Sequence, residues 1–283
     1  MFHPAMNQAL SISLALCAAC AGNRNPGGDA LAEDAGAATD AVAAERRLPP
    51  ANAGLDYQLG GAYPPAADVG VLSRDRSDPP AAGVYNICYV NGFQTQPAER
   101  AWWTTNHPDL VLRDGTGSPV IDPDWPDEYI LDISSVAKRA QIAEIVGAWL
   151  DGCAAAGFQA IEVDNLDTFT RFPRLAEADA VALARAYADR AHARGLAMGQ
   201  KNTAELLGRR ADAALDFAVV EQCNEIAGEC QRFIDAYGAQ VYLIEYARDS
   251  FQRGCAAFPQ VSIVLRDVKV TPPGSSTYVR EGC

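Results

Sequence analysis

Eight short apolar runs, separated by stretches of helical period, constrain this chain more than any other feature. They fall at 69–72, 85–90, 129–131, 160–163, 196–199, 217–220, 241–244 and 262–265. Each is almost continuously apolar, as expected of strands covered on both faces. Between them, Val136, Ile142, Ile145, Val146 and Trp149 recur at helical spacing, with Gly157 as a stop. Residues 175–194 place Ala180, Leu183, Ala184, Tyr187 and Ala191 on one helical face, with Gly195 as the stop, and 204–214 reads as a third helix. The spacer after the first run is crowded by Pro79, Pro80 and Gly83 and carries no clear helix. Strands alternating with helices predict an α/β fold, a single-domain (β/α)8 TIM-type barrel. An open doubly wound sheet is the alternative, but no Gly-x-Gly-x-x-Gly follows the first run.

Six of the eight runs meet an acidic residue at, or within three residues of, their C-terminal ends: Asp75, Asp132, Asp164, Glu221, Glu245 and Asp267. In a parallel barrel those ends share the face that carries the active site. Gathering so many carboxylates raises their pKa values and costs stability. It is tolerable if some pair with Lys201, Arg74, Arg266 or Lys269, and at least two are expected to be ordinary solvated caps.

Charge and histidine usage narrow the chemistry. The 283 residues carry a formal charge of −13, which argues against nucleic acid and anionic membrane surfaces and suits a cationic or neutral partner. The three histidines, His3, His107 and His192, lie away from the strand ends, which disfavours a Ser-His-Asp triad or a histidine-rich metal site. No cofactor or metal is expected, and the chain reads as a monomer.

The apolar run at 9–19 is too short to span a bilayer and fits a leader over 1–21. Ala19-Cys20-Ala21 offers a cleavage site, and the Cys17–Cys20 box an alternative lipid anchor at Cys20. The protein is therefore expected to be secreted or a cell-surface lipoprotein. Residues 22–54 are rich in Ala, Gly, Pro and acids and read as a low-complexity linker, leaving 55–283 for the barrel. Cys88, Cys153, Cys223, Cys230, Cys255 and Cys283 remain after the leader. An even number suits an oxidising compartment. Their connectivity is open, although Cys223 and Cys230 are near enough to close one loop. No Cys-x-x-Cys spacing among them suggests structural zinc.

Carboxylates without a suitable histidine point to glycoside hydrolysis. One carboxylic acid protonates the leaving oxygen and a second carboxylate attacks carbon or activates water. Trp102 and Trp103, just beyond the second run, and Trp125, before the third, are candidate platforms for sugar faces.

Several segments stand in the order of a known family. They are Asp56-Tyr57-Gln58-Leu59-Gly60-Gly61, Trp125-Pro126, Leu131-Asp132-Ile133, Gly157 to Asp167, Gly199-Gln200-Lys201-Asn202, Phe217 to Cys223 and Ile244-Glu245-Tyr246. The chain from about Leu55 to Val270 resembles glycoside hydrolase family 114, the endo-α-1,4-polygalactosaminidases. Val163 stands where that family usually has Pro, and the segment from Cys88 to Gln96 departs from its pattern. The resemblance implies Asp164 as nucleophile and Glu221 as general acid/base. It also implies a cleft lined by Asp132, Asn165, Lys201, Asn202 and Glu245, with Asp167 pairing with a substrate ammonium; Asp75, at the end of the first run, is counted with them as substrate-binding from its position. Alternation is expected to turn Glu162 away from Asp164, so it is left out of catalysis. A deacetylated galactosamine polymer is cationic and would be drawn to such a cleft. Two other readings remain: a barrel that binds glycan without cutting it, and a glycosidase of different linkage specificity.

Overall fold

Residues two apart in a strand point to the same side, and that period sorts the interior of this protein. A computed structural model describes residues 46–283. The leader over 1–21, the possible anchor at Cys20 and most of the linker lie outside the described residues. The strands are β1 (Gly54–Gln58), β2 (Val69–Asp75), β3 (Tyr85–Asn91), β4 (Ala160–Asp164), β5 (Ala197–Lys201), β6 (Phe217–Glu221), β7 (Val241–Glu245) and β8 (Ser262–Arg266). They lie side by side in chain order and all pair in parallel; β9 (Arg280–Gly282) adds antiparallel to β8. The result is the expected α/β barrel, very nearly closed.

The helices are unevenly distributed. None separates β1, β2 and β3; the Pro79–Gly83 region is a turn. After β3 come α1 (Arg100–Asn106) and α2 (Val136–Ala156), and after β4 come α3 (Thr168–Arg171) and α4 (Glu177–Ala193). Then α5 (Glu229–Tyr237) follows β6 and α6 (Arg248–Ala257) follows β7. Ser135 caps α2, its hydroxyl accepting from Lys138 N–H, and Gly157 ends it at φ +100°, a left-handed stop that favours glycine. The segment expected to be a helix over 204–214 is a 3-10 turn at Ala204–Arg209.

Two strand expectations change. The run at 129–131 is not a barrel strand. It makes isolated antiparallel bridges to the β3–α2 excursion, Gln94 with Ile130 and Val111 with Leu131. The eighth barrel strand is instead β1, whose Asp56 and Gln58 hide the apolar pattern of Leu55 and Tyr57. The linker also ends earlier than expected. Pro49 is buried and its carbonyl accepts from Tyr242 Oη at 2.8 Å, while Arg47 O accepts from Tyr85 Oη at 2.6 Å. Residues 46–50 thus cover the N-terminal end of the barrel.

Above that plug the lumen is apolar: Leu55, Val71, Ile87, Ala160, Phe217, Tyr242 and Val264 fill it. Gly199 is required here, since a Cβ on it would lie 2.5 Å from the Phe217 ring. The other side chains of the same strands, among them Val90, Ile161, Val163, Val220 and Leu243, pack outward against the helices. Disulfides Cys88–Cys153, Cys223–Cys230 and Cys255–Cys283 pin β3 to α2, the turn after β6 to α5, and α6 to the C-terminal segment.

Side chains bridge the seam between β8 and β1. Buried Arg266 donates to Asp56 Oδ1 at 3.0 Å and to the Tyr57 carbonyl, and Arg280 donates to Leu55 O at 3.2 Å. Removing one partner of a buried pair strands the other's charge. Arg266→Met is expected to cost about 3 kcal/mol of stability, and Arg266→Met with Asp56→Asn less than the two singles together, in urea unfolding of all four proteins.

Candidate active site

The C-terminal ends of the strands surround a cleft of about 620 Å³. At its floor lies one buried ammonium. Lys201, the last residue of β5, is 2% exposed, and its Nζ lies 3.0 Å from Glu221 Oε2, 3.3 Å from Asp164 Oδ2 and 3.5 Å from Glu162 Oε1. It also donates to Tyr57 Oη at 3.0 Å. Burial alone would lower its pKa, but Asp164, Glu221 and Glu162 more than reverse this and hold it well above the usual lysine range.

Strand parity explains who reaches this centre. Asp164 and Glu221 end β4 and β6 on the lumen side. Glu162 lies two residues before Asp164 and therefore shares its direction. The expectation that alternation turns Glu162 away is corrected on that ground. It sits wholly buried beneath Asp164, accepting from Tyr57 Oη and Ser73 Oγ, each at 2.6 Å. Burial raises its pKa against the pull of Lys201 and those two hydroxyls.

Both strand-end carboxylates are firmly held. Asp164 accepts from Tyr89 Oη at 2.8 Å and from its neighbour's backbone, Asn165 N, at 2.8 Å. Glu221 accepts from Asn202 Nδ2 at 3.1 Å and from Tyr246 Oη, and its own N–H donates to Asn202 Oδ1 at 2.8 Å. Burial, then the nearby carboxylates, push Tyr57, Tyr89 and Tyr246 well up, so all three stay protonated donors. The backbone bends sharply just beyond these strands. Asn165, Asn202, Thr203 and Gln222 all have left-handed φ, between 45° and 64°. Such backbone is costly for Thr203, which is β-branched, and strain of this kind concentrates at functional sites. The buried Gln200 amide supports the turn, donating to the carbonyls of Asn202 and Thr203 at 2.8 and 2.9 Å.

Of the other residues singled out from the sequence, Asp75, Trp125, Asn165, Asp167 and Asn202 line the cleft with the central pair and Lys201. Four stand elsewhere. Trp103 is fully buried in the helix-side core, and Trp102 packs edge-on against it and beside His107. Asp132 accepts from Lys138 Nζ at 2.5 Å and Ser134 Oγ at 2.5 Å, holding the start of α2. Glu245 ends β7 with the opposite parity, since Glu221 pairs in register with Ile244. It faces outward and accepts from Asn224 N and Nδ2 at 3.1 and 2.8 Å. Asp267 likewise binds the Thr271 backbone. His192 pairs with Asp216, outside the cleft.

Sequence reading missed Tyr57, Tyr89 and Tyr246, and also Glu128 and Arg171, which line the cleft from the β3–α2 excursion and α3. The tyrosines had a signal: each lies on the lumen parity of its strand end. Among the described residues one group of metal-type side chains lies close together, Cys223, Cys230 and Glu245. Its sulfurs form a disulfide, which leaves a lone carboxylate to ligate.

A model of glycoside-hydrolase family GH114 matches residues 35–283. A search of curated proteins gives no match. Among solved structures, Aspergillus fumigatus Ega3, determined in complex with galactosamine, is 20% identical with a TM-score of 0.68, covering 84% of this chain and 98% of its own. The glycoside hydrolase domain of PelA from Pseudomonas aeruginosa is 16% identical with a TM-score of 0.55, covering 79% of this chain and 98% of its own. At these identities the likeness is one of fold.

Removing Lys201 would strand three carboxylates around a buried void. Lys201→Met is expected to destabilise the protein by about 3–5 kcal/mol at neutral pH. Without the ammonium, burial holds the Glu162 carboxyl still further above its unfolded value. The deficit should therefore shrink as pH falls through the carboxyl range, in urea titrations at several pH values.

Proposed function

The chain belongs to glycoside-hydrolase family GH114, and on that premise we propose that it is an exported enzyme that cuts α-1,4-linked galactosamine-rich polysaccharide internally, with Asp164 as nucleophile and Glu221 as general acid/base. The observation that carries this is the shared ammonium. Asp164 Oδ2 and Glu221 Oε2 lie 3.3 and 3.0 Å from the same nitrogen. They can be no further apart than those two distances end to end. That bound holds for these two oxygens and admits the about 5–5.5 Å between carboxyl groups of retaining glycosidases. On this ground we assign retention, with Asp164 attacking the anomeric carbon while Glu221 gives its proton to the departing oxygen.

The charge balance suits a pair of carboxyl groups sharing one lysine, whichever of the two attacks. In the first step one carboxylate becomes an ester and the other loses its proton, so the net charge around Lys201 is unchanged. In the second step Glu221 takes a proton from water, the hydroxide oxygen displaces Asp164, and the cluster returns to its start. Lys201 faces the same total charge throughout, which spares the buried ammonium any loss of partners. Tyr89 and Tyr246 follow the charge as it moves, each donating to one of the two carboxylates.

The substrate is inferred from the acidic lining and from Ega3, whose structure holds galactosamine. Asp75, Asp124 and Asp167 line the same cleft, and Trp125, 59% exposed at its rim, offers a flat apolar face to a sugar ring. Export is supported by three disulfides, which persist in oxidising compartments.

Product analysis on deacetylated α-1,4-galactosamine polymer tests the assignment. Wild-type protein is expected to release oligosaccharides, and Glu221→Gln and Asp164→Asn to lose about 10³-fold or more in kcat. Binding without products from wild type, or cleavage confined to another glycan, overturns it. Proton NMR of the first products should show the α-anomer; a β-anomer rules out the retaining geometry.

A further inference from the structure

Several acidic side chains around the catalytic pair share a cation, and half-buried Glu128 is one that does not. Glu162, Asp164 and Glu221 share Lys201, and Asp122 and Asp167 share Arg171. Glu128 lines the cleft and, among the described residues, has no lysine, arginine or histidine within ion-pair reach. Its one side-chain hydrogen bond comes from Asn91 Nδ2, 3.0 Å from Oε2. The second oxygen has no hydrogen-bond partner among the described residues.

Its position is set firmly. Glu128 and Trp125 belong to one tight turn, in which Glu128 N donates to Trp125 O at 2.8 Å and Asp122 N to Glu128 O at 3.1 Å. Buried Asp122 pins that turn from within: its carboxylate accepts from Asp124 N at 2.9 Å, Gln94 Nε2 at 2.6 Å and Arg171. The turn is tied to the nucleophile's side of the cleft. Asn91, which donates to Glu128, also accepts from Asn165 Nδ2 at 3.0 Å, and Asn165 directly follows Asp164. A carboxylate and an aromatic face thus stand on one rigid support beside Asp164.

We propose that Glu128 is the specificity residue that recognises the C2 ammonium of the sugar attacked by Asp164, and so makes the cleft prefer free amine over N-acetyl. This rests on the reading that the cleft takes an amino-sugar polymer. C2 is bonded to the anomeric carbon, so its substituent must lie near the nucleophile, on the side where Glu128 waits without a counter-ion. An N-acetyl group would bring no charge and would leave that carboxylate desolvated and unpaired.

The electrostatics of the empty cleft fit. Burial pushes Glu128 up to about 7, and Asp164 and Asp122 add to this, while Asn91 and Arg171 pull the other way. Asp75, Asp124 and Asp167 face the same space and add negative charge. An arriving ammonium supplies the missing cation and drives the proton off. Below pH 7 the binding of galactosamine should therefore release protons.

Calorimetry of galactosamine at pH 6, in buffers of different ionisation enthalpy, reads this without needing turnover. Wild type is expected to bind galactosamine at least tenfold more tightly than N-acetylgalactosamine and to release most of one proton. Glu128→Gln should lose the preference and the proton release while still binding the N-acetyl sugar, and its kcat/KM ratio for free-amine over N-acetylated oligomer should fall about tenfold or more. Equal affinities in wild type, or a preference and proton release unchanged in Glu128→Gln, overturn the proposal. Hydrolysis by wild type with no amine preference would leave the proposed activity standing and this inference refuted; amine-selective binding without hydrolysis would do the reverse.

Discussion

One ammonium facing three carboxylates is the interaction on which this architecture turns. A lysine buried to 2% exposure costs several kcal/mol unless the surroundings repay it. Here repayment requires Glu162, Asp164 and Glu221 to arrive from two different strands within 3.5 Å of Nζ. That fixes the register of β4, β5 and β6, since a slip of one residue would turn each of these groups out of the lumen. The apolar lower barrel and the left-handed turns beyond the strand ends serve the same placement. The lower layers set the strand spacing, and the turns stop the chain before the carboxylates are carried past the lysine.

Much of this was written in the sequence, and the failures are instructive. Apolar runs gave seven of the barrel strands because burial on both faces leaves an unbroken apolar signature. β1 escaped because Asp56 and Gln58 are buried through specific bonds, Asp56 to Arg266 and Gln58 to Asp56 and Arg74, which no pattern of apolar residues announces. The run at 129–131 misled because the excursion after β3 buries apolar residues of its own in the helix-side core, among them Trp103, Leu110 and Ile130. At the site, acidic strand ends identified the correct face of the barrel but not parity. Asp164, Glu221 and Glu245 each end a strand, yet Glu245 is one step out of phase with its neighbour and points away. Glu128 carried no strand-end signal at all, since it reaches the cleft from an irregular loop whose path depends on buried Asp122.

The barrel's closure differs from its wall. Backbone ladders join β1 through β8, whereas guanidinium groups bridge β8 to β1, and β9 occupies part of the edge that a regular barrel would pair. Arginine suits this duty because its planar fork can satisfy a carboxylate and carbonyls at once. Arg266 does so for Asp56, Tyr57, Val279 and Thr271. The seam is therefore specified by a few side chains, and the plug at residues 46–50 supports it from below.

The Cys223–Cys230 bridge has a consequence for how such a protein can diversify. It brackets the short turn that follows Glu221 and Gln222, in which Ile226 is exposed. With both feet of that turn fastened, the residues between can change size or polarity while the carboxylate beneath keeps its place. A lineage could thus vary this exposed surface without first surrendering the chemistry at the floor.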